Sequence, residues 1–121
     1  MSTALVVDDT KTDRELLSGC LEAIGYTVIK AGDGDEAMNQ LNDTKPDIIF
    51  LDVVLPDRSG FELCRDIKAG AETRSIPIIM CSTKDTEMDK FWGMKQGADA
   101  YLSKPVNSDE LQRTLNQVLA K

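Results

Sequence analysis

The chain has 121 residues, room for one domain of ordinary size and not for two. Fourteen Lys+Arg against 21 Asp+Glu give a formal charge of -7; that field repels phosphate backbones, and with no basic run it argues against nucleic-acid binding. There is no histidine, which removes the commonest general base and the commonest zinc ligand together.

The 41% hydrophobic content suffices for a packed core. The start, MSTALVVDD, lacks the charged and apolar regions of a signal peptide, and no apolar run approaches a membrane span. A cytoplasmic protein without membrane insertion is expected. Cys20, Cys64 and Cys81 lie in apolar patterns and read as buried thiols of a reducing compartment.

The first strand is predicted over residues 4–7 (ALVV). The helix after it carries Leu16, Leu17, Cys20, Leu21 and Ile24 on one face, and Gly25 stops it. A second strand, 27–30 (TVIK), leads to a helix around 36–42 that buries Ala37, Met38 and Leu41. The third strand, 47–52 (DIIFLD), is nearly all apolar, as suits a central parallel strand. Its helix uses Phe61, Cys64 and Ile67 and ends near Gly70. The fourth strand, 76–82 (IPIIMCS), precedes a helix over about 85–96 that begins near Lys84 or Asp85. Met80, Met88, Phe91 and Met94 read as packing residues there, while Trp92 suits either packing or a partner surface. The fifth strand, 100–103 (AYLS), is followed past Pro105 by a helix capped by Asn107 or Ser108, burying Leu111, Leu115, Val118 and Leu119.

Strict alternation of strand and helix predicts a doubly wound α/β sandwich with parallel strands and right-handed crossovers. Ligands of such sheets bind beyond the carboxyl ends of the strands. Those ends are chemically loaded: Asp8-Asp9 on the first, Asp52 on the third, Ser82 on the fourth and Ser103-Lys104-Pro105 on the fifth. Two unit charges 4 Å apart repel by about 4 kcal/mol at an effective dielectric near 20, so converging carboxylates call for a cation. Mg²⁺ suits a few carboxylates plus water and phosphate. Lys104 can pair with Asp52 or a phosphoryl oxygen, and Ser82 can donate to the same oxygen. A carboxylate such as Asp52 can attack phosphorus to give an acyl phosphate, a reaction that needs alignment and charge neutralisation rather than a histidine. With no nucleotide loop in the chain, a separate donor must supply the phosphoryl group.

Each piece has a plainer reading. Asp8-Asp9 could cap the first helix, Ser82 could be a turn residue, and Lys104-Pro105 could be a turn before the last helix. A phosphohydrolase with an aspartate nucleophile, a flavodoxin-like binding module and a silent pseudo-receiver are the rival classes. Against them stands the joint occurrence of the pieces in order.

The motifs VVDD (6–9), D-x-x-L-P-D-x-S-G (52–60), PIIMCS (77–82) and GADAYLSKP (97–105) make the chain resemble the CheY-like receiver domains of bacterial two-component signalling, over residues 1–121. The resemblance implies a (βα)5 flavodoxin-like sandwich with five parallel strands in the order 2-1-3-4-5. It implies a single-domain response regulator, with no output domain, whose Asp52 is phosphorylated by a sensor histidine kinase, a CheA-like one being a candidate. Asp8, Asp9, Asp52 and the backbone carbonyl of Val54 would hold Mg²⁺. Ser82 would be the switch hydroxyl, Tyr101 the aromatic switch and Lys104 the phosphoryl-binding lysine, with a cis Lys104–Pro105 bond. The protein would be a phosphoacceptor with its own autophosphorylation and autodephosphorylation chemistry. Either a downstream protein would bind the fourth helix, fifth strand and fifth helix, or the domain would serve as a phosphate sink. The run from Ser82 to Ala98, S-T-K-D-x-E-x-D-K-x-W-G-x-x-Q-G-A, is similar to PilH-type receivers of type IV pilus, twitching and phototaxis pathways. Thr83, where the family usually has a small residue, is a departure expected to narrow access and slow exchange with small donors, hydrolysis of the phosphoryl group, or both; Val54 is a second departure, offering no polar side chain to position water.

Overall fold

A computed structural model describes residues 2–120. Ten elements alternate along it: β1 (Thr3–Val7), α1 (Lys11–Ala23), β2 (Thr27–Ala31), α2 (Gly34–Asp43), β3 (Ile48–Leu51), α3 (Gly60–Ala69), β4 (Ile78–Ser82), α4 (Glu87–Lys95), β5 (Ala100–Ser103) and α5 (Ser108–Leu119). The strands form one parallel sheet in the order β2-β1-β3-β4-β5.

Side-chain alternation divides the core. Leu5, Val7, Ile49, Leu51, Ile78 and Met80 point to one face, where α2 and α3 supply Ala37, Leu41, Leu63, Cys64 and Ile67. Ala4, Val6, Ile48, Phe50, Ile79 and Cys81 point to the other, against Leu17 and Leu21 of α1 and Leu111, Leu115 and Val118 of α5. The central strands are buried on both faces, which explains their unbroken apolar runs.

Several elements depart from expectation at their edges. β4 begins at Ile78 because Pro77 has no amide hydrogen and the Ile76 amide is already given to the Thr73 carbonyl. β3 spans only Ile48–Leu51, although the Asp52 amide still donates to the Val7 carbonyl at 3.0 Å. α4 starts later than predicted, after the N-cap Thr86, which forms a reciprocal capping box with Asp89. Gly25 follows α1 with φ of 103°, the left-handed turn expected of a helix stop.

Burial corrects other expectations. Leu16 of α1, Ile24 just past its end and Leu119 of α5 are exposed. Cys20 is half-buried, whereas Cys64 and Cys81 are buried, and all three thiols are free. Burial pushes the Cys64 thiol up to about 11 and that of Cys81 up to about 12, so both stay protonated. The largest correction falls on α4. Met88, Phe91 and Met94 are exposed instead of packed, as is Trp92, and Gly93 is the buried residue of this helix.

Candidate functional site

Register brings the loaded strand ends together. Val7 pairs with Leu51, so Asp8 and Asp52 leave adjacent strands side by side. Ser82 pairs with Ser103, and the Lys104 amide donates to the Ser82 carbonyl at 3.1 Å. The Lys104–Pro105 bond is cis. Carboxylate oxygens of Asp8, Asp9 and Asp52 lie within 4.8 Å of one another. Asp8 and Asp52 are buried and Asp9 is exposed, giving the cluster one face toward solvent.

The Lys104 ammonium sits among these acids. It donates to Asp8 Oδ2 at 2.6 Å, to Asp52 Oδ2 at 2.8 Å and to Asp13 Oδ2 at 3.1 Å. Burial disfavours the ammonium, but hydrogen bonds to Asp52 and Asp8 outweigh that and raise its pKa, so it stays charged. Burial also raises the Asp8 carboxyl above its ordinary value, against the opposing pull of Lys104 and of the Thr10 amide, which donates to Asp8 Oδ1 at 2.9 Å. That last bond means the helix-capping reading of Asp8 is partly right too: Asp8 serves the start of α1 and the acidic site at once.

Asp52 is braced from its own loop. Its Oδ1 accepts the Val54 amide at 3.2 Å, while the Val54 side chain is exposed and pairs by backbone with Ser59 in an isolated bridge. Gly60 opens α3 directly against this turn. A Cβ at Gly60 would collide with the Asp52 carbonyl oxygen, so only glycine lets the helix start so close to the acid. Asp57 clasps the same loop to α2, accepting the amides of Gly34 at 2.9 Å and Asp35 at 3.0 Å.

Ser82 is fully buried, and its Oγ accepts the Lys84 amide at 3.2 Å. Tyr101 is half-buried, and its hydroxyl donates to the Lys84 carbonyl. The two predicted switch residues thus meet through one residue, Lys84, not through each other. Burial, then the carboxylates of Asp89, Asp52 and Asp85, push the Tyr101 phenol up to about 12, which keeps its hydroxyl a donor. Thr83 is exposed just beyond Ser82.

The structure therefore brings Asp8, Asp9, Asp52 and Lys104 to one rim, with Ser82 at the end of the neighbouring strand. Sequence reasoning missed Asp13 and Asp57. Asp13 stands in helical sequence with no strand end to flag it, and Asp57 is in the loop, where L-P-D reads as a turn.

A buried aspartate flanked by two further acids and a lysine, at the carboxyl edge of a 2-1-3-4-5 sheet, is the architecture of a phosphoacceptor receiver. The response regulator receiver domain model matches residues 4–116, and the chain belongs to that family. It is 42% identical to the protein PilH of Pseudomonas aeruginosa over 120 residues, 99% of each chain. The structure of the chemotaxis protein CheY4 of Vibrio cholerae superposes with a TM-score of 0.90 at 34% identity, covering 98% of both chains. The receiver domain of a sensor histidine kinase from Pseudomonas aeruginosa PAO1, crystallised with magnesium coordinated in its active-site cleft, gives 0.90 at 28% identity over 99% of this chain and 98% of that one. Among the described residues no helix is long and apolar enough to cross a membrane.

The donor set fits a hard cation. Every side chain in the cluster offers carboxylate oxygen, none offers sulfur or imidazole, and the exposed Asp9 leaves room for water ligands, which Mg²⁺ retains.

Proposed function

We propose that this protein is a Mg²⁺-dependent response regulator in which Asp52 accepts a phosphoryl group from a phosphohistidine of a sensor kinase. One carboxylate oxygen of Asp52 attacks phosphorus, the bond from phosphorus to the imidazole nitrogen breaks, and the imidazole leaves with that electron pair. Asp8, Asp9, Asp52 and the Val54 carbonyl would hold the ion, which neutralises phosphoryl oxygens when bound. Lys104 neutralises a second side of the group and holds the oxygen it meets in line with the strand ends. The observation that carries this reading is the Lys104 ammonium hydrogen-bonded to Asp52 at 2.8 Å with two other acids within reach of one cation.

The switch follows from the links already described. Phosphorylation replaces one carboxylate charge with about -1.5 to -2 charges and adds strong acceptor oxygens. Ser82, drawn to one of them, would turn its hydroxyl away from the Lys84 amide. Lys84 also anchors Tyr101, so the aromatic ring loses its outward tether as the segment moves. Beside it lie Met88, Phe91, Trp92 and Met94, an exposed apolar set on α4 suited to a protein partner that reads the shift. Likeness to PilH supports a place in motility signalling, with the same surface of α4, β5 and α5 as the output face.

The test is incubation with acetyl phosphate, with and without Mg²⁺, followed by intact-mass measurement. One phosphoryl adduct is expected with Mg²⁺, localised to Asp52, and none on the Asp52→Asn variant. An adduct that persists on the variant, or its absence from the native chain, refutes the assignment.

A further inference from the structure

A lysine ammonium has three N–H bonds to give. In Lys104 each is taken by a different carboxylate: Asp8 at 2.6 Å, Asp52 at 2.8 Å and Asp13 at 3.1 Å. The donor is saturated. A phosphoryl oxygen on Asp52 can reach this ammonium only if one present partner lets go.

The three partners differ in what release would cost. The side chains of Asp8 and Asp52 are 7% and 8% exposed, so release would leave the Asp8 carboxylate, or the acyl oxygen that Asp52 keeps once phosphorylated, buried without this donor. That of Asp13 is 40% exposed and its bond is the longest of the three, so water can take it over at once. The start of α1 points the same way. Asp13 is the third residue of the helix after the N-cap Thr10, the place from which an acid ordinarily accepts the N-cap amide. Here that amide goes to Asp8, Thr10 makes no side-chain cap bond, and Asp13 reaches across to Lys104 instead.

We propose that Asp13 is a positioning residue that holds the third N–H of Lys104 in the unphosphorylated protein and is displaced from it by a phosphoryl oxygen. The inference rests on Asp52 being the acceptor. A contact made in only one of two states biases the equilibrium toward that state, so Asp13 opposes phosphorylation. It also keeps Lys104 aimed at the rim until a phosphoryl group arrives. Asp13 therefore sets how readily the site is occupied without touching the acceptor.

Beryllofluoride affinity, measured in saturating Mg²⁺, tests this on the full chain. Asp13→Asn is expected to bind it about two- to fivefold more tightly than the native chain, the range of a partly exposed ion pair. Asp13→Glu, which keeps the charge, should return toward native affinity. Glu22→Gln, the same charge change at an exposed residue further along α1, should leave it unaltered. The ¹⁵N resonance of the Lys104 ammonium supplies an independent reading: Asp13→Asn should move it in the free protein and leave it in place in the beryllofluoride-bound form. If the native chain takes up no beryllofluoride, the acceptor assignment itself fails. If the native chain binds and Asp13→Asn binds no more tightly, or Glu22→Gln tightens binding equally, or the bound-state resonance still moves, displacement of Asp13 is overturned.

Discussion

Two helices of this protein begin with the same pattern, T-x-x-D, and use it differently. At α4, Thr86 and Asp89 satisfy each other: the Thr86 hydroxyl accepts the Asp89 amide at 3.1 Å and the Asp89 carboxylate accepts the Thr86 amide at 3.1 Å. At α1, Thr10 and Asp13 stand at the same spacing and neither bond forms. The difference lies in the neighbours. α4 starts at the surface, where its first turn has only itself to satisfy. α1 starts beside two strand ends that carry Asp8, Asp52 and, across the sheet, Lys104. A local bond contributes about 1 kcal/mol, whereas a buried cation among carboxylates has several at stake. The site outcompetes the cap.

The comparison breaks most visibly at Lys104. Lys104→Met removes the cation that holds α1's acid away from its cap and leaves Asp8 and Asp52 buried without a counter-charge. Urea unfolding in EDTA should show a loss of about 2 kcal/mol, below the about 3–5 kcal/mol of a fully enclosed pair because Asp9 and Asp13 admit water. Mg²⁺ should recover part of that loss. Unchanged stability in EDTA would mean that the carboxylates do not depend on Lys104, and the contrast between the two helices would lose its cause.

Next in size is the cap itself. Thr86→Ala should cost about 1 kcal/mol, and Thr10→Ala less than about 0.5 kcal/mol, since no side-chain cap bond exists there to lose. Equal losses at the two positions, read from paired urea curves, would show that the common pattern does the same job in both.

The same contrast explains how much was legible beforehand. Strand ends are readable because a β-rich run stops abruptly at a charged or hydroxyl residue, and parallel strands all stop on one side; Asp8, Asp9, Asp52, Ser82 and Lys104 were found that way. Asp13 was not, because its role depends on a lysine 91 residues away in sequence. Asp57 was hidden for the same reason: its two hydrogen bonds cross to the start of α2, 23 and 22 residues back. Helical period predicted the buried stripes of α1 and α5 but overreached at their margins, at Leu16, Ile24 and Leu119. In α4 it failed, since a short helix packed against β5, with Gly93 as its buried residue, leaves its large apolar residues outside. Thr114 of α5 and Ser18 of α1 are buried, a placement no polarity pattern would flag.

The smallest effect separates the two helix starts by pH. Asp89 has its carboxyl held below the ordinary 3.8 by hydrogen bonds from the Thr86 hydroxyl and amide. A depressed carboxyl stabilises the fold above its unfolded pKa, and that contribution is lost as pH falls from 3.8 through the folded value. Asp8 has the opposite sign. Its carboxyl lies above 3.8 because burial disfavours the charge, so ionised Asp8 weakens the metal-free fold, and the penalty fades as pH falls through its folded pKa toward 3.8. In EDTA, then, Asp8→Asn should be more stable than the native chain at neutral pH, with the gap closing on the acid side but still above 3.8. Asp89→Asn should be less stable at neutral pH, and its gap should close only below 3.8. Side-chain carboxyl ¹³C titrations read the same ordering directly, Asp8 protonating before Asp89 as acid is added. A reversed order would mean that Lys104 and the Thr10 amide overcome burial at Asp8, and the acids of α1 would then be as well satisfied as the cap of α4.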